Sequence, residues 1–190
     1  MVTVIVKKIE DLNESDIAKV LDYLSERGRI RLNKKNNPAL RRASLCALSL
    51  LDPHQLADLA YTDEGAPSFA ALDNHISISH SNTLAAVAIS SSASQRVGVD
   101  VEDIATRAAN PTRQARFLTE SEQSLIDRGT SYLEIWTKKE ALFKHLGIKD
   151  SSPLGLDSAR ATQMFTTVSI DNSLLTVCTD GGVQIEIIQK

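Results

Sequence analysis

Apolar and polar positions along the chain change period several times, and each change marks an element. Val2 to Ile9 is rich in β-branched residues and predicts a strand over 2–9. Ile17, Val20, Leu21 and Leu24 recur at helical spacing and predict a helix over 14–27, with Asn13 or Ser15 as its N-cap. Residues 38–51 read as a largely buried helix with Pro38 in its first turn. Residues 52–74 are irregular and hold a turn at Glu64-Gly65-Ala66-Pro67. Ile76-Ser77-Ile78-Ser79 alternates, and Leu84 to Ile89 is continuously apolar, so two strands are expected with a bend at His80-Ser81-Asn82-Thr83. After a polar loop over 91–96, residues 97–102 alternate again as a strand. Residues 103–112, with Asn110-Pro111, read as a loop or short helix. Thr119 and Glu122 stand in capping-box register for a helix over 119–128. Residues 132–146 form the main C-terminal helix, ended near Gly147, and 166–170, 173–178 and 183–188 read as strands.

One echo runs through this order. Ile78 to Leu84 and Ile170 to Leu175 both place a polar turn before an apolar strand. It predicts an α+β fold: a pseudo-dimer of two similar α/β halves, 1–96 and 97–190, each a small antiparallel sheet packed against a long helix, with one cleft between them. The 190 residues allow one domain or two small fused halves, and aromatics at 4% call for an aliphatic core. A net charge of −3 argues against a bulk nucleic-acid binder. Cys46 and Cys178 lie far apart in apolar surroundings and read as buried free thiols. The early charges of Met1 to Glu10 do not suit a signal peptide, and no apolar run approaches the roughly 20 residues of a membrane span. A cytoplasmic protein with no membrane partner is expected.

The candidate chemistry begins at Gly98-Val99-Asp100-Val101-Glu102. A strand puts Asp100 and Glu102 on one face. Two carboxylates about 4 Å apart repel by roughly 4 kcal/mol at an effective dielectric of 20. They splay into water as the face of an edge strand, share a proton, or hold a cation. Trp136, Lys139, Glu140 and Lys144 form one stripe of the C-terminal helix, and the chain's single tryptophan argues that this stripe meets the protein body. Three carboxylates with two lysines fit a Mg²⁺ ion binding a phosphate, a site suited to phosphoryl-group chemistry. Ser79-His80-Ser81, at the end of a strand, is either structural or a set of donors for phosphate. There is no Gly-x-Ser-x-Gly elbow, Walker A loop or Gly-x-Gly-x-x-Gly. The basic run Arg27–Lys35 reads as a solvated loop face. Of Arg41 and Arg42, in an otherwise apolar helix, at least one should reach a cleft or its rim.

Together these segments resemble the 4′-phosphopantetheinyl transferase superfamily. The resemblance rests on Ile76-Ser-Ile-Ser-His-Ser81, Gly98-Val-Asp-Val-Glu102, Arg116-Phe-Leu-Thr-Glu-Ser-Glu122 and Trp136-Thr-Lys-Lys-Glu-Ala-Leu-Phe-Lys144, in the family's order, and covers about residues 40–180. Length and N-terminal half resemble the larger single-chain, surfactin-synthetase-activating type, a pseudo-dimer with no need to self-associate. The resemblance implies transfer of the 4′-phosphopantetheine arm of coenzyme A to a serine of an apo acyl or peptidyl carrier protein, with Mg²⁺, releasing 3′,5′-ADP. It implies that Asp100, Glu102 and Glu140 hold the metal. Glu140 would also act as base, directly or through a metal-bound water. Lys144 would meet the α-phosphate or the transferring group. Arg41, Ser79, His80 and Lys139 would stand on the cofactor side, with Glu122 orienting Lys139. The N-terminal half would then carry the nucleotide side of the cofactor, and the loop 103–118 with the helices flanking the cleft would meet the carrier.

Two departures from the family pattern stand out. Gly65-Ala66-Pro67 carries Ala where the family usually has Lys or Arg, so one charge-assisted phosphate contact worth roughly 1.5–3 kcal/mol is missing unless another basic residue supplies it. The family's Gly-x-Gly after the helix is here Gly147-Ile148-Lys149-Asp150. The alternative readings are a weakened or inactive coenzyme A-binding member of the same fold, and an interaction protein whose acidic strand and Trp-bearing helix merely pack.

Overall fold

In the computed structural model of the protein, residues 1–107, 116–148, 152–181 and 183–190 are described. The chain opens with β1 (Val2–Lys8), α1 (Glu14–Tyr23), α2 (Glu26–Asn33), α3 (Pro38–Ser49) and α4 (Pro53–Asp58). Five strands follow: β2 (Leu59–Tyr61), β3 (Pro67–Phe69), β4 (Ile76–His80), β5 (Leu84–Ser90) and β6 (Val97–Asp103). Then come α5 (Ile104–Arg107), α6 (Glu120–Asp127) and α7 (Tyr132–Leu146). A 3₁₀ turn at Pro153–Gly155 precedes β7 (Met164–Ile170), β8 (Ser173–Thr179) and β9 (Ile185–Gln189).

One sheet has the order β4-β5-β1-β9, and a second has the order β6-β8-β7. Strand alternation sorts their side chains between layers. Val2, Val4 and Val6 of β1, with Ala86 and Ala88 of β5, meet Val97, Val99 and Val101 of β6 and Val177 of β8 in a core between the sheets. The other face of the first sheet offers Ile76, Ala85 and Val87 to Val20 of α1 and to Leu45 and Leu48 of α3. The other face of the second offers Cys178 and Phe165 to Ala141 and Leu142 of α7. Each large aliphatic side chain fully buried this way contributes about 1.5–3 kcal/mol. The layers run helix, sheet, sheet, helix, an α+β arrangement.

The two sheets join where β4 meets β6. Isoleucines of the Ile-Ser-Ile-Ser stretch enter the core, and its serines face β6. Ser77 Oγ accepts from Val99 N (3.0 Å) and Ser79 Oγ from Val101 N (3.3 Å), capping backbone donors on that edge of β6. Below them, Asp103 accepts from Ser81 Oγ, Thr83 Oγ1 and Asn82 N. Burial pushes the Asp103 carboxyl up, but these hydrogen bonds outweigh it and hold the group below the usual carboxylate range.

The expected elements are present, with three differences. The helix over 14–27 is two helices. Leu24 leaves helical geometry (ψ 130°) to bury its side chain, and Ser25 caps α2 by accepting from Gly28 N (3.2 Å). Most of the basic run Arg27–Lys35 is therefore the helix α2 rather than a loop. The stretch 52–74 holds α4 and the β2–β3 hairpin. The last strand, β9, crosses to pair in parallel with β1 in the first sheet. Asn13 is the cap of α1, and Gly147 ends α7 at φ 58°. Residues 149–151 of the departing loop, and 108–115 of the segment assigned to the carrier, lie outside the described residues. Cys46 and Cys178 are free and buried, and burial pushes their thiols up to about 11 and about 12.

Candidate functional site

A cleft of about 370 Å³ opens where α2, α3, β4, β6 and α7 converge. Asp100, Glu102, Glu140 and Lys144 line it together with Ser79 and His80. Alternation along β6 turns Asp100 and Glu102 away from the inter-sheet core, and helical spacing aligns Trp136, Glu140 and Lys144 along α7. Two side chains of α7 tie the elements together. Trp136 Nε1 donates to Glu102 Oε1 (2.9 Å), and Lys144 Nζ donates to Asp100 Oδ1 (2.7 Å). Gly98 permits this close approach, because a Cβ there would lie 1.9 Å from the Ala141 carbonyl oxygen.

Asp100 is 5% exposed. Its Oδ1 also accepts from Ser79 Oγ (2.9 Å), while its Oδ2 is buried with no hydrogen-bond partner. Among the described residues, no three His, Cys, Asp or Glu side chains are gathered closely enough to hold an ion as they stand. The donor chemistry nonetheless suits a hard divalent cation: three carboxylates line one cleft, and one of their oxygens is buried without a donor.

The nucleotide-side residues are placed less uniformly. His80 faces the cleft, and its Nε2 lies 3.2 Å from Ser44 Oγ. Ser44 commits its own proton to the Leu40 carbonyl (2.8 Å), which assigns the Nε2–H tautomer to His80. Burial, and then Lys35 and Lys144, hold the His80 imidazole below its usual range and favour its neutral form. Arg41 is not on the cleft wall. Its guanidinium donates to the Leu32 carbonyl and to Asn33 Oδ1 (both 3.2 Å), fastening the start of α3 to the end of α2.

Lys139 is likewise off the cleft. Its side chain is 1% exposed, and Nζ lies 2.5 Å from the equally buried Glu122 Oε2. The expected Glu122–Lys139 pair is present, but it joins α6 to α7 inside the protein. Glu122 also accepts from Thr119 N, Ser158 N and Ser158 Oγ, so its charge is compensated by four donors.

Two cleft residues lay within the basic run that reads as a solvated face. Arg31 and Lys35, one turn apart on and just beyond α2, both line the cleft. Arg31 sits 4.5 Å from the Tyr61 ring centroid and against Gly65, where a Cβ would come within 3.0 Å of its guanidinium. Burial, and then Arg31, lower the Lys35 pKa. The signal for both was a run of cations with no acid among them. A second groove of about 680 Å³ adjoins the cleft at Gly65, Pro67, Ile78 and Lys144. No helix among the described residues is long and apolar enough to cross a membrane.

No curated protein matches the chain. Residues 96–177, running from just before β6 into β8 and spanning Asp100, Glu102, Glu140 and Lys144, match the family model of the 4′-phosphopantetheinyl transferase superfamily.

Proposed function

We propose that the protein transfers the 4′-phosphopantetheine arm of coenzyme A to a serine of an apo carrier protein, with Mg²⁺, releasing 3′,5′-ADP. The observation that carries this reading is the placement of Asp100, Glu102, Glu140 and Lys144 on one cleft, within the stretch that matches the family model. The cleft and the groove beside it, at about 370 and 680 Å³, are in the size range of cofactor sites. The layered order of α3, two sheets and α7 supports the larger single-chain type, a monomeric pseudo-dimer of halves 1–96 and 97–190 in which the last strand, β9, crosses into the sheet of the first half.

Asp100, Glu102 and Glu140 would hold Mg²⁺. When bound, the ion neutralises pyrophosphate charge and polarises the phosphoryl group. Lys144, Arg31 and Lys35 supply the cations that receive the phosphates, with neutral His80 and Ser79 beside them. Glu140 takes the proton of the carrier serine as its hydroxyl oxygen attacks the β-phosphate. The bond from that phosphorus to the bridging oxygen breaks, and 3′,5′-ADP leaves with the electron pair. Arg31, lying against Gly65, supplies the positive charge that Ala66 does not.

The test is incubation with coenzyme A, Mg²⁺ and several apo carrier proteins, read by intact mass. A phosphopantetheine adduct on one carrier is expected, and its loss in Asp100→Ala and Glu140→Ala with unchanged melting supports the site. No adduct on carriers that a known transferase modifies refutes the reading. Tight coenzyme A binding without turnover would instead favour the inactive binding member, the reading that Ala66 motivates.

A further inference from the structure

Lys144 and Asp100 make an unusual pair for a site that must take up a cation and an anion. The Lys144 ammonium has three donors, and all three have partners: Asp100 Oδ1 (2.7 Å), Ser79 Oγ (3.0 Å) and the Val99 carbonyl (3.0 Å). It has none left for a phosphate. Asp100, in turn, is 5% exposed, has one oxygen held by Lys144 and Ser79, and has the other buried with no donor at all. The ammonium therefore already neutralises the carboxylate that a divalent cation would take up, although its second oxygen has no donor. Glu102 is held similarly, by the indole of Trp136. Among the described residues no three acidic side chains are gathered closely enough to hold an ion as they stand.

We propose that Lys144 stands in for the divalent cation at Asp100 and is drawn off by a polyphosphate ligand, so that cation and polyphosphate bind with positive coupling. A divalent ion at Asp100 with the ammonium still in place would put two cations on one carboxylate. An arriving pyrophosphate offers the ammonium a new anionic partner on the same cleft, where Lys144 is 27% exposed and able to turn. Removing the ammonium from Asp100 then favours the ion, and by linkage the ion favours the polyphosphate to the same degree. Coenzyme A is the polyphosphate if the transferase reading holds. The coupling itself requires only the two charges.

Mg²⁺ binding is measured by calorimetry and by the emission of Trp136, the chain's single tryptophan and the donor to Glu102, with and without coenzyme A. A titration of Mg²⁺ into coenzyme A without protein is subtracted. In the wild type, coenzyme A should tighten Mg²⁺ binding at least tenfold. In Lys144→Met, Mg²⁺ alone should bind at least tenfold tighter than to the wild type, and the coupling should shrink to within threefold. Lys144→Gln keeps a donor but not the charge and should behave as Lys144→Met does; thermal melts confirm that both variants fold. Equal or weaker Mg²⁺ binding by both variants, coupling that survives them, or no Mg²⁺ binding by any form overturns the proposal. Carrier modification with unchanged coupling overturns this inference alone. Tightened Mg²⁺ binding in the variants, with no modification of any carrier by the wild type, overturns the transferase reading alone.

Discussion

Replacing Gly98 by Ala tests whether the contact between β6 and α7 sets the site. A methyl group there meets backbone on the facing helix: 1.9 Å to the Ala141 oxygen, 2.7 Å to the His145 nitrogen and 3.0 Å to the Ala141 carbonyl carbon. No side chain can turn aside to relieve this. Ordinary contact begins at 3.4 Å, so α7 must retreat from β6 by about 1.5 Å. Overpacking costs about 1–3 kcal/mol, and a clash of main chain with main chain belongs at the top of that range. The helix carries Glu140 and Lys144 and the strand carries Asp100 and Glu102, so the retreat falls within the cleft. A displacement of about 1 Å at a catalytic constellation lowers rates roughly 10²-fold. Urea unfolding followed by Trp136 emission should show a loss of about 3 kcal/mol, a midpoint shift of about 1.5 M at an m-value near 2 kcal/mol/M. Under the proposed function, carrier modification, measured by intact mass where the variant is folded, should slow about 10²-fold. Gly→Ala at a strain-free position stabilises a protein by about 0.4–1 kcal/mol, so even the sign is diagnostic. A variant as stable as the wild type, modifying carrier within twofold of its rate, refutes the reasoning.

Lys139→Met leaves the Glu122 charge buried without its counter-ion and should cost about 3–5 kcal/mol in a denaturant melt; Glu122→Gln with Lys139→Met removes the charge but turns an amide nitrogen toward a backbone N–H and should recover part of it, and a double variant no more stable than the single one contradicts the pairing. Burial is the first cause holding both His80 and His145 below their ordinary value of 6.5, so each takes up a proton more readily when unfolded. Their contribution to stability is complete above about pH 6.5 and is lost as pH falls through the folded-state values. The urea midpoint should accordingly drop between pH 7.5 and pH 5, and less steeply in His145→Gln; a midpoint independent of pH over that window contradicts the assignment. Under the proposed function, Arg31→Ala removes a cleft cation and should raise the KM for coenzyme A about tenfold with little change in kcat, since charge-assisted contacts are worth about 1.5–3 kcal/mol. An unchanged KM removes Arg31 from the site.

Much of this protein was legible in local pattern, because periods, caps and turns depend on residues a few positions apart. Val97 to Glu102 announced which face is core and which carries carboxylates, and the 132–146 stripe announced that Glu140 and Lys144 project together. Thr119 and Glu122 marked a helix start through the two bonds of a capping box, which close within one turn. The chain's order alone could not decide what each side chain meets across the layers. Arg41 and Lys139 read as cofactor-side residues and Arg31 and Lys35 as part of a solvated loop face, yet the first two turn to a helix junction and to a buried glutamate, and the second two turn to the cleft. Leu24 broke one helix into two because a core pocket captured it, and β9 left its sequence neighbours for the outer edge of β1, which β5 pairs on one side only. Helical and strand periods follow from steric and hydrogen-bonding rules that each segment carries within itself. Which faces meet, and so which charges share a cleft, follows from the packing of distant segments, and that exists only once the layers have closed.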